Sequence, residues 1–200
     1  VGAGIAGCAT ALELAERGYR VALLDAERVG WGASGRSGGQ AIFGYGTSQA
    51  SLAAQVGPEI ARRMWDVSID ALDWVRERVV RHAIDCDLNW GHLHAATKPR
   101  QRDDLLELQR ELAEVYGYHS PRFLERHDVE GLLATQRYCA GLFDPRSGHL
   151  HPLNYTLGLA RAAVAAGVTI FESSPVTRIE RGDPARVITP YGTLTARFVV

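Results

Sequence analysis

Gly2-Ala3-Gly4-Ile5-Ala6-Gly7 is a G-x-G-x-x-G turn, and it constrains how the chain around it can fold. The first glycine permits a tight turn, the second lets the backbone approach a pyrophosphate, and the third lets helix and strand pack closely. A helical run follows to Gly18, with Ile5, Leu12 and Ala15 on its inner side. Tyr19 to Asp25 is then a short apolar run suited to a buried parallel strand. It ends in Asp25, at the spacing of a carboxylate that binds a ribose hydroxyl. Such a unit rests a diphosphate on the first amides of the helix, where the dipole favours negative charge. A carboxylate at position 25 repels a 2′-phosphate and so disfavours NADP. NAD and FAD both satisfy this much, and a plain β-α turn with a strand-end aspartate remains the bland alternative.

Beyond the turn, residues 30–48 carry seven glycines with serines between them, too many for a regular element. A long helix is expected from Gly57-Pro58-Glu59, where proline suits a first turn. Ile60, Met64, Val67, Ala71, Val75 and Val79 recur along it at three- and four-residue steps. Trp65 and Trp74 read as core. Leu88 to Thr97 alternates like a strand, and Asp103 to Tyr116 reads as a helix with Leu105, Leu108, Leu112 and Val115 inward. Tyr138 to Phe143 is a further strand, and Tyr155 to Ala166 a helix closed by Gly167. The strands VTIF, Val176 to Ile179, Arg186 to Thr189 and Thr193 to Val200 end the chain. This order predicts an α/β fold carrying a second sheet.

Several classes are disfavoured by composition. Net charge is −1, which gives no reason to expect nucleic acid or an anionic membrane surface. Apolar residues make up 46%, enough for a sizeable core, yet no apolar run approaches a membrane span. Lys98 is the only lysine. Cys8, Cys86 and Cys139 are far apart and odd in number, which fits a reducing, cytoplasmic setting.

The stretches VGAGIAG at 1–7, LLDAERVGWGASGRSGGQ at 23–40, CDLNWGHLHAATK at 86–98 and GHLHPLNYTLGLARAA at 148–163 resemble the D-amino-acid-oxidase-like family of FAD-dependent oxidoreductases. Within it they resemble the gamma-glutamylputrescine oxidase branch. The resemblance implies a Rossmann-like FAD-binding domain with a parallel sheet, plus an α+β substrate domain with a mixed or antiparallel sheet. The expected division is 1–80 with 150–200 for the first and 81–149 for the second. The chain begins inside a motif and stops on an apolar strand, so a fragment is expected, with catalytic residues beyond Val200.

Site residues follow by match. Gly2, Gly4, Ile5, Ala6 and Gly7 would hold the diphosphate, and Asp25 with Ala26 the ribose. Ala33, Ser34, Gly35 and Arg36 would meet the phosphate and ribityl portion. Gly38, Gly39 and Gln40 would lie near the ring system, and Val176 would present its backbone to the adenine. The family usually carries glutamate where Asp25 stands, a longer arm for the ribose. The implied chemistry is hydride transfer to flavin from an amine or amino-acid-like substrate, with oxygen as acceptor. An NAD-dependent dehydrogenase shares the turn but leaves GASGRSGGQ unexplained, and a dinucleotide-binding module without turnover is the other alternative.

Two H-x-H pairs, His92/His94 and His149/His151, could each present two imidazoles on one strand face. No carboxylate or cysteine accompanies them, so a metal is not expected. Trp90 with His92 and His94 could wall an amine substrate through a cation–π contact, with core packing the simpler role.

Overall fold

The glycine turn opens a helix, and the strand after that helix returns to the turn. In the computed structural model, which describes all 200 residues, Gly2 N donates to Leu24 O at 2.7 Å. Elements run α1 (Ile5–Glu16), β1 (Ala22–Leu24), a 3-10 turn (Ala33–Gly35), β2 (Gln40–Ala41), α2 (Gln49–Val56), α3 (Pro58–Arg81), β3 (Asn89–Ala96) and α4 (Pro99–Glu114). They continue β4 (Arg122–Glu125), α5 (Arg126–Leu133), β5 (Ala140–His149), α6 (Pro152–Ala165), β6 (Thr169–Phe171), β7 (Arg178–Glu180), β8 (Ala185–Thr189) and β9 (Gly192–Ala196). The chain divides into two units. One holds Val1–Gly39, Arg78–Cys86 and His151–Val200; the other holds Gln40–Glu77 and Asp87–Leu150.

In the first unit β1 and β6 pair in parallel, Ala22 opposite Thr169 and Leu24 opposite Phe171. Helices α1 and α6 pack together, and Cys8, Leu12, Leu159 and Ala163 are buried without exposure. Burying each leucine contributes about 1.5–3 kcal/mol. The thiol of Cys8 is pushed up to about 11, chiefly by burial and then by Asp25, so it stays protonated and acts as a small apolar group. Arg78 is also buried, and it reaches Glu13 in a short hydrogen bond and Glu16 at 3.6 Å. Bonds from Arg17 first and Arg78 second hold the Glu13 carboxyl below its ordinary range. Strands β7, β8 and β9 form an antiparallel meander of their own.

The second unit is built on β5. Strand β3 runs along one edge of it, while β4 and β2 share the other, all antiparallel. The ladder skips from Trp90–Gly148 to His92–Asp144, a bulge where Gly91 takes φ +111° and residues 145–147 loop out. Pro145 lies in that loop, where no ladder bond is asked of it. Asp144, 2% exposed, closes the loop by accepting from Arg146 N, Ser147 N and Ser147 Oγ, and also from Tyr118 Oη and Ser120 Oγ. Trp65 is buried among Phe43, Tyr116 and Tyr118, with ring centroids 4.7–5.7 Å away.

Three expectations are corrected here. The apolar stripe on α3 does not face the core: Ile60 is 53% exposed and Val67 60%, while Ala61, Trp65, Ser68 and Leu72 are buried. The periodicity is genuine, but Trp65 on the other stripe meets Phe43, Tyr116 and Tyr118, and that contact turns its face inward. Trp74 is likewise exposed rather than core, and so is Val115 past the end of α4. Elements α2, β4 and α5 had no predicted counterpart. α2 starts at Ser48, whose Oγ accepts from Ser51 N at 3.2 Å, and α5 starts at Glu125, whose N donates to Asp128. By contact, residues 40–77 group with the sheet of the second unit.

Candidate functional site

Each glycine of the turn has a separate physical reason. Gly2 takes φ +98°, a conformation side chains rarely adopt. A Cβ on Gly7 would sit 1.7 Å from Gly2 O, so the helix can approach the strand only without one. A Cβ on Gly4 would sit 2.7 Å from Ser34 Oγ. That hydroxyl accepts from Ile5 N at 3.0 Å, tying the later loop to the start of α1. Ala3 N donates to Asp25 at 2.6 Å. The amides of Gly4 and Ala6 find no acceptor within the protein, and they stand where a diphosphate would take them.

The loop after β1 folds back under the turn. Gly30 N donates to Ala3 O at 3.0 Å. Gly30 and Gly35 are crowded from below by Leu153 of α6, and a Cβ on Gly35 would lie 2.2 Å from Gly30 O. Around Gly2, Gly32 and Gly38, by contrast, an added Cβ would meet nothing within 4 Å. One side of this loop is therefore packed shut and the other is open along small residues. Arg36 stacks on the Trp31 ring at 4.8 Å. Ala33 is exposed, Gly39 is buried with φ +67°, and Gln40 begins β2.

Asp25 lies at the end of β1. Its second oxygen accepts from Glu27 N at 2.8 Å, and each carboxylate oxygen keeps a further lone pair. Ala26 is exposed beside it. The segment leading to Val176 comes to the same place: Ser174 N donates to Asp25 O and Ser173 N to Glu27 O, both at 2.8 Å. Glu172 accepts from Val29 N at 2.7 Å. Turn, loop, acidic strand end and the 172–174 segment thus converge from four stretches of sequence.

A family model described as FAD dependent oxidoreductase, DAO, matches residues 1–200. The chain belongs to the DAO family of FAD-dependent oxidoreductases. It is 41% identical over its whole length to a probable oxidoreductase OrdL of Haemophilus influenzae, and 38% identical to the gamma-glutamylputrescine oxidoreductase of Escherichia coli. It spans 47% of each of these relatives, about half their length. Among solved structures, the L-amino acid deaminase of Proteus myxofaciens superposes with a TM-score of 0.79 at 27% identity, over 98% of this chain and 42% of that one. Glycine oxidase of Geobacillus kaustophilus shares the fold, at TM-score 0.73 and 24% identity over 98% of this chain and 52% of that one.

FAD is the cofactor of this DAO-family chain, and the residues fit it. Unaccepted amides at a helix start suit the diphosphate, an acidic strand end suits the ribose, and the open glycine side of the loop suits a flat ring system passing close to backbone. The other constellations lie elsewhere. Trp90 stacks under Arg76 of α3 at 4.2 Å, so it packs against the helix rather than walling a cavity. His94 borders a cleft of about 240 Å³ with Gln101, Asp104 and Leu105 of α4. Burial, followed by the neighbouring His94, lowers the affinity of His92 for a proton, opposed by Asp144. His151 caps α6, its Nδ1 accepting from Asn154 N at 3.2 Å. No helix is long and apolar enough to cross a membrane, and no cysteine is in a disulfide.

Leu153, Glu172 and Ser173 were missed as supports of the site, because each reaches it through tertiary contact with no local motif. Gln49 was also missed. Both polar atoms of its side chain are buried without a hydrogen-bond partner, a costly arrangement for an amide.

Proposed function

We propose that the protein oxidises an amine or amino-acid-like substrate at a CH–NH or CH–NH2 group. Bound FAD would supply the two-electron acceptor for hydride, with dioxygen as the terminal acceptor. The reading rests above all on the attachment of the 30–39 loop to the glycine turn, through Gly30 N to Ala3 O and Ile5 N to Ser34 Oγ. A nicotinamide dehydrogenase needs the turn and the acidic residue but has no use for this second loop. In the proposal Gly2, Gly4, Ile5, Ala6 and Gly7 hold the diphosphate, while Asp25 and Ala26 meet the ribose. Ala33, Ser34, Gly35 and Arg36 serve the phosphate and ribityl portion. Gly38, Gly39 and Gln40 lie at the ring, and Val176 lies at the adenine. Small amines and amino acids are the substrate class, and a cytoplasmic setting is consistent with three cysteines outside any disulfide.

The test uses the intact protein under anaerobic conditions with a panel of amines and amino acids. Bleaching of the flavin by one of them, followed by peroxide on readmitting air, is the expected result. Flavin that no member of the panel reduces would leave a binding module without turnover. Bleaching without peroxide would replace oxygen by another acceptor.

A further inference from the structure

Within the second unit, helix α3 carries an apolar stripe beside its buried face. Ile60, Met64, Val67, Ala71 and Trp74 follow one another at steps of four, three, four and three residues, the alternation of a coiled-coil seam. Ile60, Val67 and Trp74 are each more than half exposed, and Ala71 is exposed between them. The stripe runs for about 21 Å of helix. A contiguous apolar row rimmed by charge marks a surface that meets another protein surface.

The charges along the stripe say which surface. Its outer edge carries Arg63, Asp70 and Glu77, seven residues apart. Asp70 is exposed and makes no ion pair within its own chain. Further round the helix, Glu59, Asp66 and Asp73 already pair with Arg63, Arg62 and Arg146 of the same chain. When two identical helices meet antiparallel about a two-fold axis, this outer edge of each faces the same edge of the other. One register then satisfies charge and bulk together. With Met64 against Val67 of the second copy, Arg63 comes beside Asp70, Ile60 meets Ala71, and Trp74 meets Gly57. Each large side chain is set on a small one, and the two-fold axis repeats every pairing. An added Cβ on Gly57 would meet nothing within 4 Å, so the space an indole needs is open there. Sliding by a heptad would set Trp74 on Met64 and Asp70 on Asp70. A parallel pairing would set Arg63 and Asp70 against the edge of Ala61 and Ser68, which is buried.

We propose that this face of α3 is a homodimer interface, on which two copies of the chain pair antiparallel through Ile60, Met64, Val67, Ala71 and Trp74, with Arg63 and Asp70 bridging between them. The seam supplies its own complement in charge and in volume, so the partner is a second copy. None of its residues is assigned to FAD, and the dimer is therefore separable from cofactor binding.

Sedimentation velocity of the intact, flavin-loaded protein over a concentration series tests the interface. The unmodified protein should reach dimer mass as concentration rises. Val67→Glu places a charge at the middle of the seam and should hold the protein at monomer mass throughout, with flavin content and Tm unchanged. Arg63→Asp should raise the dimer dissociation constant about tenfold, since two bridging pairs become repulsive. Adding Asp70→Arg to that variant should restore it. Leu132→Glu, at an exposed apolar residue of α5 away from the stripe, should leave the dimer as it was. If Val67→Glu loses its fold, Ile60→Glu decides in its place. A dimer that survives the seam variant overturns the proposal, as does a charge reversal that restores nothing. A monomer at every concentration overturns it too, and would give the stripe to another segment of the intact protein.

Discussion

Gly7 and Gly35 stand where a Cβ would strike backbone oxygen, at 1.7 Å and 2.2 Å, whereas Trp65 fills its surroundings with an indole 2% exposed. The first unit is shaped around the cofactor loop by side chains that are missing. The second is shaped by large ones brought from distant segments: Phe43, Tyr116 and Tyr118 around Trp65, and Ser120, Ser147 and Tyr118 around Asp144. Gly7 and Gly35 tolerate no addition, because backbone has nowhere to go. A core made from bulk tolerates addition poorly too, but it fails in proportion to the volume removed.

The sharpest break is Gly7→Val. The clash is with backbone rather than a movable side chain, so the cost should lie at or above the usual overpacking range, about 3 kcal/mol or more. Loss of bound flavin and of soluble intact protein is expected; a stable, yellow variant would show that the turn can yield. Trp65→Ala should cost about 3–5 kcal/mol, read as a lower Tm, while the protein that remains folded still carries flavin. Equal loss of flavin and stability would erase the contrast between the units. Asp25→Ala comes next, weakening FAD by about 1.5–3 kcal/mol, the worth of hydrogen bonds to a charged group. Titrating apoprotein should then give a dissociation constant about ten- to hundredfold higher. The smallest effect concerns acid. Because bonds from Arg17 and Arg78 lower the Glu13 pKa, its stabilisation is fully present above the ordinary glutamate value of about 4.3 and is lost as pH falls below it. A series of Tm values from about pH 6 to about pH 3 should therefore fall less steeply in Glu13→Gln.

The same contrast explains what could be read in the sequence. The turn at 2–7, helix α1 and the strand ending in Asp25 are legible because each glycine acts on its immediate neighbours. The face of α3 was misassigned because Ile60, Met64 and Val67 form as regular a stripe as Ala61, Trp65 and Ser68. Only partners far along the chain, Phe43 and Tyr118, choose between them. Asp144 gave no signal either, since its donors Tyr118 and Ser120 lie more than 20 residues away. Within the site, Ser34 was legible from its loop. The anchoring of Val29 by Glu172 was not, because it joins residues 143 apart in sequence.

The central claim is that the turn and the loop bonded to it hold FAD. The intact protein, purified without added cofactor and then denatured, should release a yellow chromophore that chromatography identifies as FAD, about one per chain given the single glycine turn. A colourless protein, or one that releases NAD instead, would contradict the account.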